Sequence, residues 1–315
     1  MEFPFKKALV TGGAGFIGSH ICEELVKLGV EVISVDNYIG GKHENVAHLA
    51  GESNFTEADC DVTDLDALRA WFPGVEVVFH NAASKKTICL QDPRRDLDIN
   101  AKGTFNLLEL CLEFGVKKYV HASTGSVYGE AVESPQSETH PLVPTSYYGV
   151  SKLAGEKYAK VFNHLYGLDT TVLRYFHVYG SRQESADDKG GVVAIFARRL
   201  LAGKPVVIFG DGEQQRSFTY VKDVVRANLH VARTEGTKGE IYNCASGIKV
   251  TVMELAEQLM ALLGREVLAP EFGPPTPGDI KVFDTDNSKL KSIGFTFETS
   301  FREGLRETVA WYKGL

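Results

Sequence analysis

Short apolar runs alternate with longer amphipathic stretches through the first half of the chain. Ala8-Leu9-Val10, Val32-Ile33-Ser34-Val35, Val75-Glu76-Val77-Val78-Phe79, Tyr119-Val120-His121 and Thr171-Val172-Leu173-Arg174 have strand length. Between them the period becomes helical: Ile17, Ile21, Leu25 and Leu28 share one face. Long helices are predicted from about Pro93 to Phe114 and from Ser146 to Tyr166. Such alternation predicts the α/β class, with a doubly wound, mostly parallel sheet. The second half is less regular. It holds polar loops at Gly180–Gly191 and Ala269–Asp279, a strand Val206–Phe209 and an amphipathic helix from Thr251 to Leu263. A smaller α/β lobe that binds a ligand is expected there. The pattern divides the chain into 1–174 with 218–245, and 175–217 with 246–315.

The first predicted turn, Thr11-Gly12-Gly13-Ala14-Gly15-Phe16-Ile17-Gly18, follows a strand and opens a helix. Glycines there let the backbone approach a pyrophosphate, and the helix end aims N–H groups and a positive dipole at it. Asp36 ends the second strand, where a carboxylate accepts hydrogen bonds from adenosine ribose hydroxyls and repels a 2′-phosphate. The unit predicts a Rossmann-type half that binds NAD rather than NADP. In such sheets ligands lie beyond the carboxyl ends of strands, here after Val10, Val35, Phe79, His121 and Arg174.

Composition narrows the class. With 315 residues the chain can bury a large core, and its net charge of −7 argues against a nucleic-acid footprint. No apolar run is long enough to span a membrane. Met1–Lys7 leads directly into the first strand, so no signal peptide is expected. The cysteines Cys22, Cys60, Cys89, Cys111 and Cys244 are scattered, with no CxxC pair. They predict neither disulfides nor a metal site, and a reducing cytoplasm as the location.

Tyr148-Gly149-Val150-Ser151-Lys152 places a phenol and an ammonium one helical turn apart. An adjacent ammonium stabilises a phenolate, and lowering a tyrosine pKa by three units takes about 4 kcal/mol. The pair therefore predicts a general base. Tyr38 and Lys42 match the same spacing, but in a glycine-containing loop, and are read as structural. Ala122-Ser123-Thr124-Gly125-Ser126-Val127-Tyr128-Gly129 follows the strand ending at His121. Its hydroxyls either bond a substrate oxygen or simply finish the strand.

Taken in order, these motifs resemble a family. The glycine turn, Asp36, Phe79-His80-Asn81-Ala82-Ala83, Ser123-Thr124-x-x-Val127-Tyr128-Gly129, Tyr148-x-x-x-Lys152, Arg174-Tyr175-Phe176 and Gly210-Asp211-Gly212-Glu213-Gln214-Gln215-Arg216 fall as in extended short-chain dehydrogenase/reductases. The nearest branch is the NAD-dependent epimerase/dehydratase family. The resemblance covers nearly the whole chain. It implies Tyr148 as base, Lys152 as its pKa-lowering partner on the nicotinamide ribose, and Thr124 as the hydroxyl bonding the sugar 4-oxygen. For the cofactor it implies Gly12, Gly15, Phe16, Ile17, Gly18, Asp36, Asn37, Asp61, Val62, Ala82, Ala83, Asn100 and Tyr175. For a UDP-sugar it implies Ser126, His177, Val192, Arg216 and Asp279, with Arg216 on the diphosphate. The two long helices resemble those that pair into a four-helix homodimer interface.

Dehydratases and decarboxylases of this branch resemble one another in carrying a glutamate two residues after the threonine, often with an aspartate between. Here those positions are Gly125 and Ser126. The resemblance therefore implies a 4-epimerase of the UDP-glucose/UDP-galactose type, with tightly held NAD and a transient 4-keto sugar. Alternatives are a UDP-N-acetylhexosamine or UDP-uronate 4-epimerase, a nucleotide-sugar 4-ketoreductase or dehydrogenase, or an NAD-sensing binding protein. Three departures affect the choice of sugar: His177 in place of asparagine, Thr276 in place of arginine, and Thr87-Ile88-Cys89 in place of a polar stretch. By the same resemblance Phe283 stands at the position that gates the C2 substituent, where its bulk implies preference for sugars without an N-acetyl group; the alternative is that it packs in the core of the small lobe.

Overall fold

Strands buried on both faces need near-continuous apolar residues, and the runs of the first half supply them. Ala8, Leu9, Val10, Val77, Val78 and Phe79 are all fully buried. The computed structural model describes residues 3–84, 91–184, 190–275 and 284–314. A seven-stranded sheet is built from β1 (Lys7–Thr11), β2 (Glu31–Asp36), β3 (Phe55–Asp59), β4 (Val77–His80), β5 (Lys118–Thr124), β6 (Thr170–Tyr175) and β11 (Ile241–Cys244). Their order is β11-β6-β5-β4-β1-β2-β3. The pairs from β3 through to β6 are parallel. The order reverses at β1, so the crevice beyond its carboxyl end is where a dinucleotide fits.

Helix α1 (Phe16–Lys27) follows β1 and buries Ile21, Cys22 and Leu25. After α2 (Leu65–Arg69), the predicted helix Pro93–Phe114 is three pieces: α3 (Pro93–Leu97), a π-helical stretch Asp98–Gly103, and α4 (Thr104–Glu113). The wider turn falls at Asn100, which is fully buried, and π turns recur at functional sites. The second long helix is α5 (Tyr147–Tyr166). Ser146 caps it by accepting the Gly149 N–H at 3.1 Å, and Gly167 ends it in a left-handed conformation.

The chain forms two compact units. One comprises Met1–Gly129, Pro141–Tyr175 and Val225–Tyr242; the other comprises Glu130–His140, Phe176–Val224 and Asn243–Leu315. The sequence division differs at Tyr175, which it gave to the second half, and at 130–140, 218–224 and 243–245, which it grouped with the first. These segments pack within the second unit for identifiable reasons. Gln136 bridges to Thr285, and Asn243 donates to the Gln136 and Asp286 carbonyls. Thr219–Tyr220 (β10) pairs with Val178–Tyr179 (β7). The second unit also contains α6 (Val192–Leu201), the pair β8 (Val207–Phe209) with β13 (Glu271–Gly273), and the pair β9 (Gln215–Ser217) with β12 (Lys249–Thr251). The helix Val252–Leu263 starts with a reciprocal capping box between Thr251 and Glu254. Among the described residues no helix is long and apolar enough to cross a membrane.

Candidate active site

The glycine turn shows why its side chains are missing. Gly12 has φ +65°, and a Cβ there would stand 2.8 Å from the Ala82 nitrogen. A Cβ on Gly18 would collide with the Gly12 carbonyl. Helix α1 has Gly15 at its N-cap and takes no side-chain cap. Its first N–H groups and dipole are therefore suited to a diphosphate. Ala82 and Ala83 follow β4, beside this turn.

Asp36 is buried at the end of β2. One oxygen accepts the Ala14 N–H at 3.1 Å and the other the Tyr38 N–H at 2.9 Å. Burial raises its pKa, and those N–H bonds oppose the rise. Each oxygen keeps acceptor capacity for a ribose hydroxyl. Asn37 donates to Asp61 at 2.7 Å, and Thr63 donates to Asp61 through both its N–H and its hydroxyl. Burial alone would raise the Asp61 pKa, but these bonds and the Arg95 charge leave it lowered. Val62 is buried beside it. Tyr38, the alternative tyrosine, lies outside any helix, donates to Glu57 at 2.7 Å and stacks on His43.

Tyr148 and Lys152 stand one turn apart in the first turns of α5. Tyr148 is half-buried, whereas Lys152 is 1% exposed. Lys152 Nζ has no hydrogen-bond partner among the described residues. Burial pushes its pKa down to about 8, against the pull of Glu156 and Asp96. A buried ammonium without a partner fits a site whose ligand brings the acceptors, as the ribose hydroxyls of a dinucleotide would. Thr124 ends β5, and its Oγ accepts the Ser126 N–H at 3.2 Å in the one-turn helix Gly125–Val127. Asn100 accepts the Ser84 N–H at 2.9 Å and donates to Ser151 at 3.0 Å, tying the exit of β4 to α5. The Tyr175 hydroxyl lies 2.8 Å from the Asn228 amide.

A network the sequence analysis did not single out lies behind these groups. Glu156, one turn past Lys152, pairs with Arg174 at 2.7 Å and 2.9 Å. Arg174 also donates to the Tyr128 hydroxyl at 2.8 Å, and Ser123 donates to Glu156 at 2.5 Å. These four residues join β5, β6 and α5 next to Thr124, Tyr175 and Lys152. The available signal was an acid and an arginine placed within otherwise buried elements.

In the second unit, His177 has φ +36° and its ring packs edge-on to Phe218. Histidine and asparagine are both among the residues enriched at positive φ. Val192 is the first residue of α6, and Arg216 lies on β9 opposite Val250. Asp279, Phe283, Thr276, Thr87, Ile88 and Cys89 lie outside the described residues. Among the described residues, no group of three or more histidines, cysteines or acids is placed to hold a metal.

Residues 8–245 match the family model described as the NAD dependent epimerase/dehydratase family. A UDP-glucose 4-epimerase of Mycolicibacterium smegmatis is 37% identical over 315 residues, covering 98% of each chain. The crystal structure of UDP-glucose 4-epimerase with UDP-glucose from Thermotoga maritima is similar, with TM-score 0.92, 40% identity and 98% and 99% coverage. So is UDP-N-acetylglucosamine 4-epimerase from Methanobrevibacter ruminantium in complex with UDP-N-acetylmuramic acid, with TM-score 0.93, 35% identity and 98% and 99% coverage. Other relatives are named UDP-glucuronate 4-epimerase and dTDP-glucose 4,6-dehydratase. Together with its fold and its dinucleotide cradle, these matches show that the chain belongs to the NAD-dependent epimerase/dehydratase family of enzymes, whose members act on nucleotide sugars.

Proposed function

We propose that the chain is a nucleotide-sugar 4-epimerase acting on UDP-glucose and UDP-galactose. The observation that carries this reading is the contrast at the end of β5. Thr124 and Ser126 offer hydroxyls there and Gly125 no side chain at all, so no carboxylate is present, while α5 carries a phenol and a buried ammonium. That set suits proton transfer at one hydroxyl and lacks the acid needed to eliminate a neighbouring group. Tyr148 takes the proton of the sugar 4-hydroxyl and later returns it. Lys152 stabilises the phenolate and binds the nicotinamide ribose. Thr124 holds the 4-oxygen, and burial around Lys152 keeps water from its ammonium. NAD bound there would supply the acceptor and donor of the C4 hydride. Arg216 binds the substrate diphosphate. Phe283 sets the preference against N-acetylated sugars.

The cofactor is regenerated in each cycle, so turnover should need none added. The test is conversion of UDP-galactose to UDP-glucose by purified protein without added NAD. A requirement for stoichiometric NAD would favour a dehydrogenase, and absence of product would reject the reading. Comparing kcat/KM for UDP-galactose and UDP-N-acetylgalactosamine tests the gate. Exclusion by shape is worth about 10–200-fold, and a ratio near one removes Phe283 from that role.

We also propose a homodimer through α4 and α5. Tyr158, Val161, Leu165 and Tyr166 are exposed and line a groove of about 520 Å³ with Phe105 and Leu112. A second copy fits this face because the stripe recurs at helical spacing along α5. Sedimentation of wild type and Leu165→Asp tests it, and a monomeric wild type would refute it.

A further inference from the structure

His80 is fully buried at the end of β4. Its Nδ1 lies 2.6 Å from Thr11 Oγ, and its Nε2 lies 2.9 Å from Thr104 Oγ. The neighbours decide where the hydrogens sit. Thr104 Oγ is 2.6 Å from the Asn100 carbonyl, and only the threonine hydrogen can bridge those two oxygens. Thr104 Oγ must then accept from the ring, so Nε2 carries a hydrogen. At the other end Thr11 Oγ accepts the Ala82 N–H at 3.2 Å and turns its own hydrogen to Nδ1. A second ring hydrogen at Nδ1 would leave the buried Thr11 hydroxyl without that acceptor. Burial and the Lys152 charge also oppose the cation, holding the His80 pKa well below its ordinary value.

Beyond Asn100 the run continues. The Asn100 amide donates to Ser151 Oγ at 3.0 Å and to Asp96 at 2.9 Å. The Ser151 hydroxyl donates to the Tyr148 carbonyl at 3.1 Å. A single series of hydrogen bonds and one side chain thus joins Ala82, beside the glycine turn, to the helical turn that carries Tyr148 and Lys152. The ring is its midpoint, spanning from β1 to the start of α4. A neutral imidazole suits the gap because it accepts at one end and donates at the other. A phenyl ring would fill the same space and cut the run twice.

We infer that His80, as the neutral ring with hydrogen on Nε2, is a positioning residue that holds the wall of the glycine turn in register with the Tyr148–Lys152 turn. It acts through Thr11, Thr104 and Asn100, and the inference rests on the proposed roles of Tyr148 and Lys152.

Nitrogen NMR of the imidazoles in the full-length protein with its bound cofactor tests the tautomer, with His80 assigned by its loss in His80→Phe. If that variant does not fold, the imidazole signal that shifts in Thr104→Val assigns it instead. The expected result is a neutral ring with hydrogen on Nε2 throughout the neutral pH range. Hydrogen on Nδ1, or a cationic ring, overturns the inference. This readout does not depend on turnover, so it separates failure of the inference from failure of the proposed reaction.

The kinetic arm uses His80→Phe, Thr104→Val and their combination. A displacement of about 1 Å at a reacting group costs on the order of 100-fold. Each single variant should lose kcat toward that size, with KM little changed. The double variant should lose no more than the worse single, because both cut one chain. His80→Gln, which keeps a donor for Thr104, should recover part of the loss. Unchanged kcat in Thr104→Val, or additive losses in the double variant, overturns the inference.

Discussion

Two buried cations in the first unit are treated in opposite ways. Arg174 on β6 is 1% exposed and satisfied by Glu156 and Tyr128, with its guanidinium 4.7 Å over the Tyr128 ring. Burial alone would lower its pKa, but these partners leave it raised. Lys152 on α5 is equally buried, yet its Nζ has no hydrogen-bond partner among the described residues and its pKa is down to about 8. Glu156, one turn away, bonds the arginine rather than the lysine. Arg174 joins the strand ends into a fixed frame, whereas Lys152 is left for a ligand to complete. Buried cations of equal exposure can therefore be sorted into frame and working group by asking which has its hydrogen bonds met.

The sharpest way to break this contrast is to remove the group that Lys152 serves. Tyr148→Phe deletes one oxygen and should lower kcat by roughly 10²–10⁴. Thermal stability and bound-cofactor content should stay close to wild type. Steady-state kinetics with absorbance of the extracted cofactor checks both. Near wild-type kcat would move the base elsewhere and leave the open ammonium without its assigned purpose.

Removing the frame should act on stability instead. Glu156→Gln leaves the Arg174 charge buried without its counter-ion, a change worth about 3–5 kcal/mol. Replacing both Glu156 and Arg174 with methionine should recover much of that loss, since no charge then remains unpaired. Denaturant unfolding of the three proteins decides the matter. A double variant as unstable as Glu156→Gln would show that the carboxylate matters through Ser123 more than through Arg174.

Much of this contrast was hidden in the sequence, for physical reasons. The glycine turn, Asp36 and the Tyr148–Lys152 pair were legible because their chemistry fixes short spacings within one element. The inner strands were legible because parallel strands buried on both faces read as apolar runs. Strand β3, Phe-Thr-Glu-Ala-Asp, was not, because an edge strand exposes polar residues. Glu156 and Arg174 passed unremarked as partners, because charged residues ordinarily belong to the surface and their meeting spans 18 positions. The π turn at Asp98–Gly103 was read as plain helix, since one widened turn barely alters the apolar period. The packing of 130–140 with the second unit rests on a bridge from Gln136 to Thr285, which leaves no local signature.

Removing the open cation should reverse the usual sign of a site mutation. Lys152→Met eliminates a buried charge whose folded pKa, about 8, lies below its ordinary value of 10.5. That gap corresponds to about 3 kcal/mol of destabilisation at neutral pH. Cofactor-stripped Lys152→Met should therefore be more stable than stripped wild type, while its turnover is lost. Above about pH 8 the folded wild type has released this proton and the unfolded chain still holds it. Unfolding then takes up a proton, so the lysine's penalty fades as pH rises toward 10.5. The stability gap between the two proteins should close across that window. A gap that is absent at neutral pH, or that widens with pH, would mean Lys152 is solvated after all.

Arg216 provides the mildest test, because it is less buried than either cation. It is half-buried on the short strand β9, with Nη1 2.9 Å from the Gln215 carbonyl. A cation that keeps contact with water contributes little to stability. Its proposed task is the diphosphate, where a charge-assisted hydrogen bond contributes about 1.5–3 kcal/mol. Arg216→Ala should weaken UDP binding by that amount and leave unfolding and cofactor content unchanged. Calorimetric titration with UDP reads the change directly. Equal affinity in the two proteins would remove Arg216 from the substrate site. A loss of stability matching that of Glu156→Gln would class it with the frame, and exposure would then be a poor guide to which cations hold the fold.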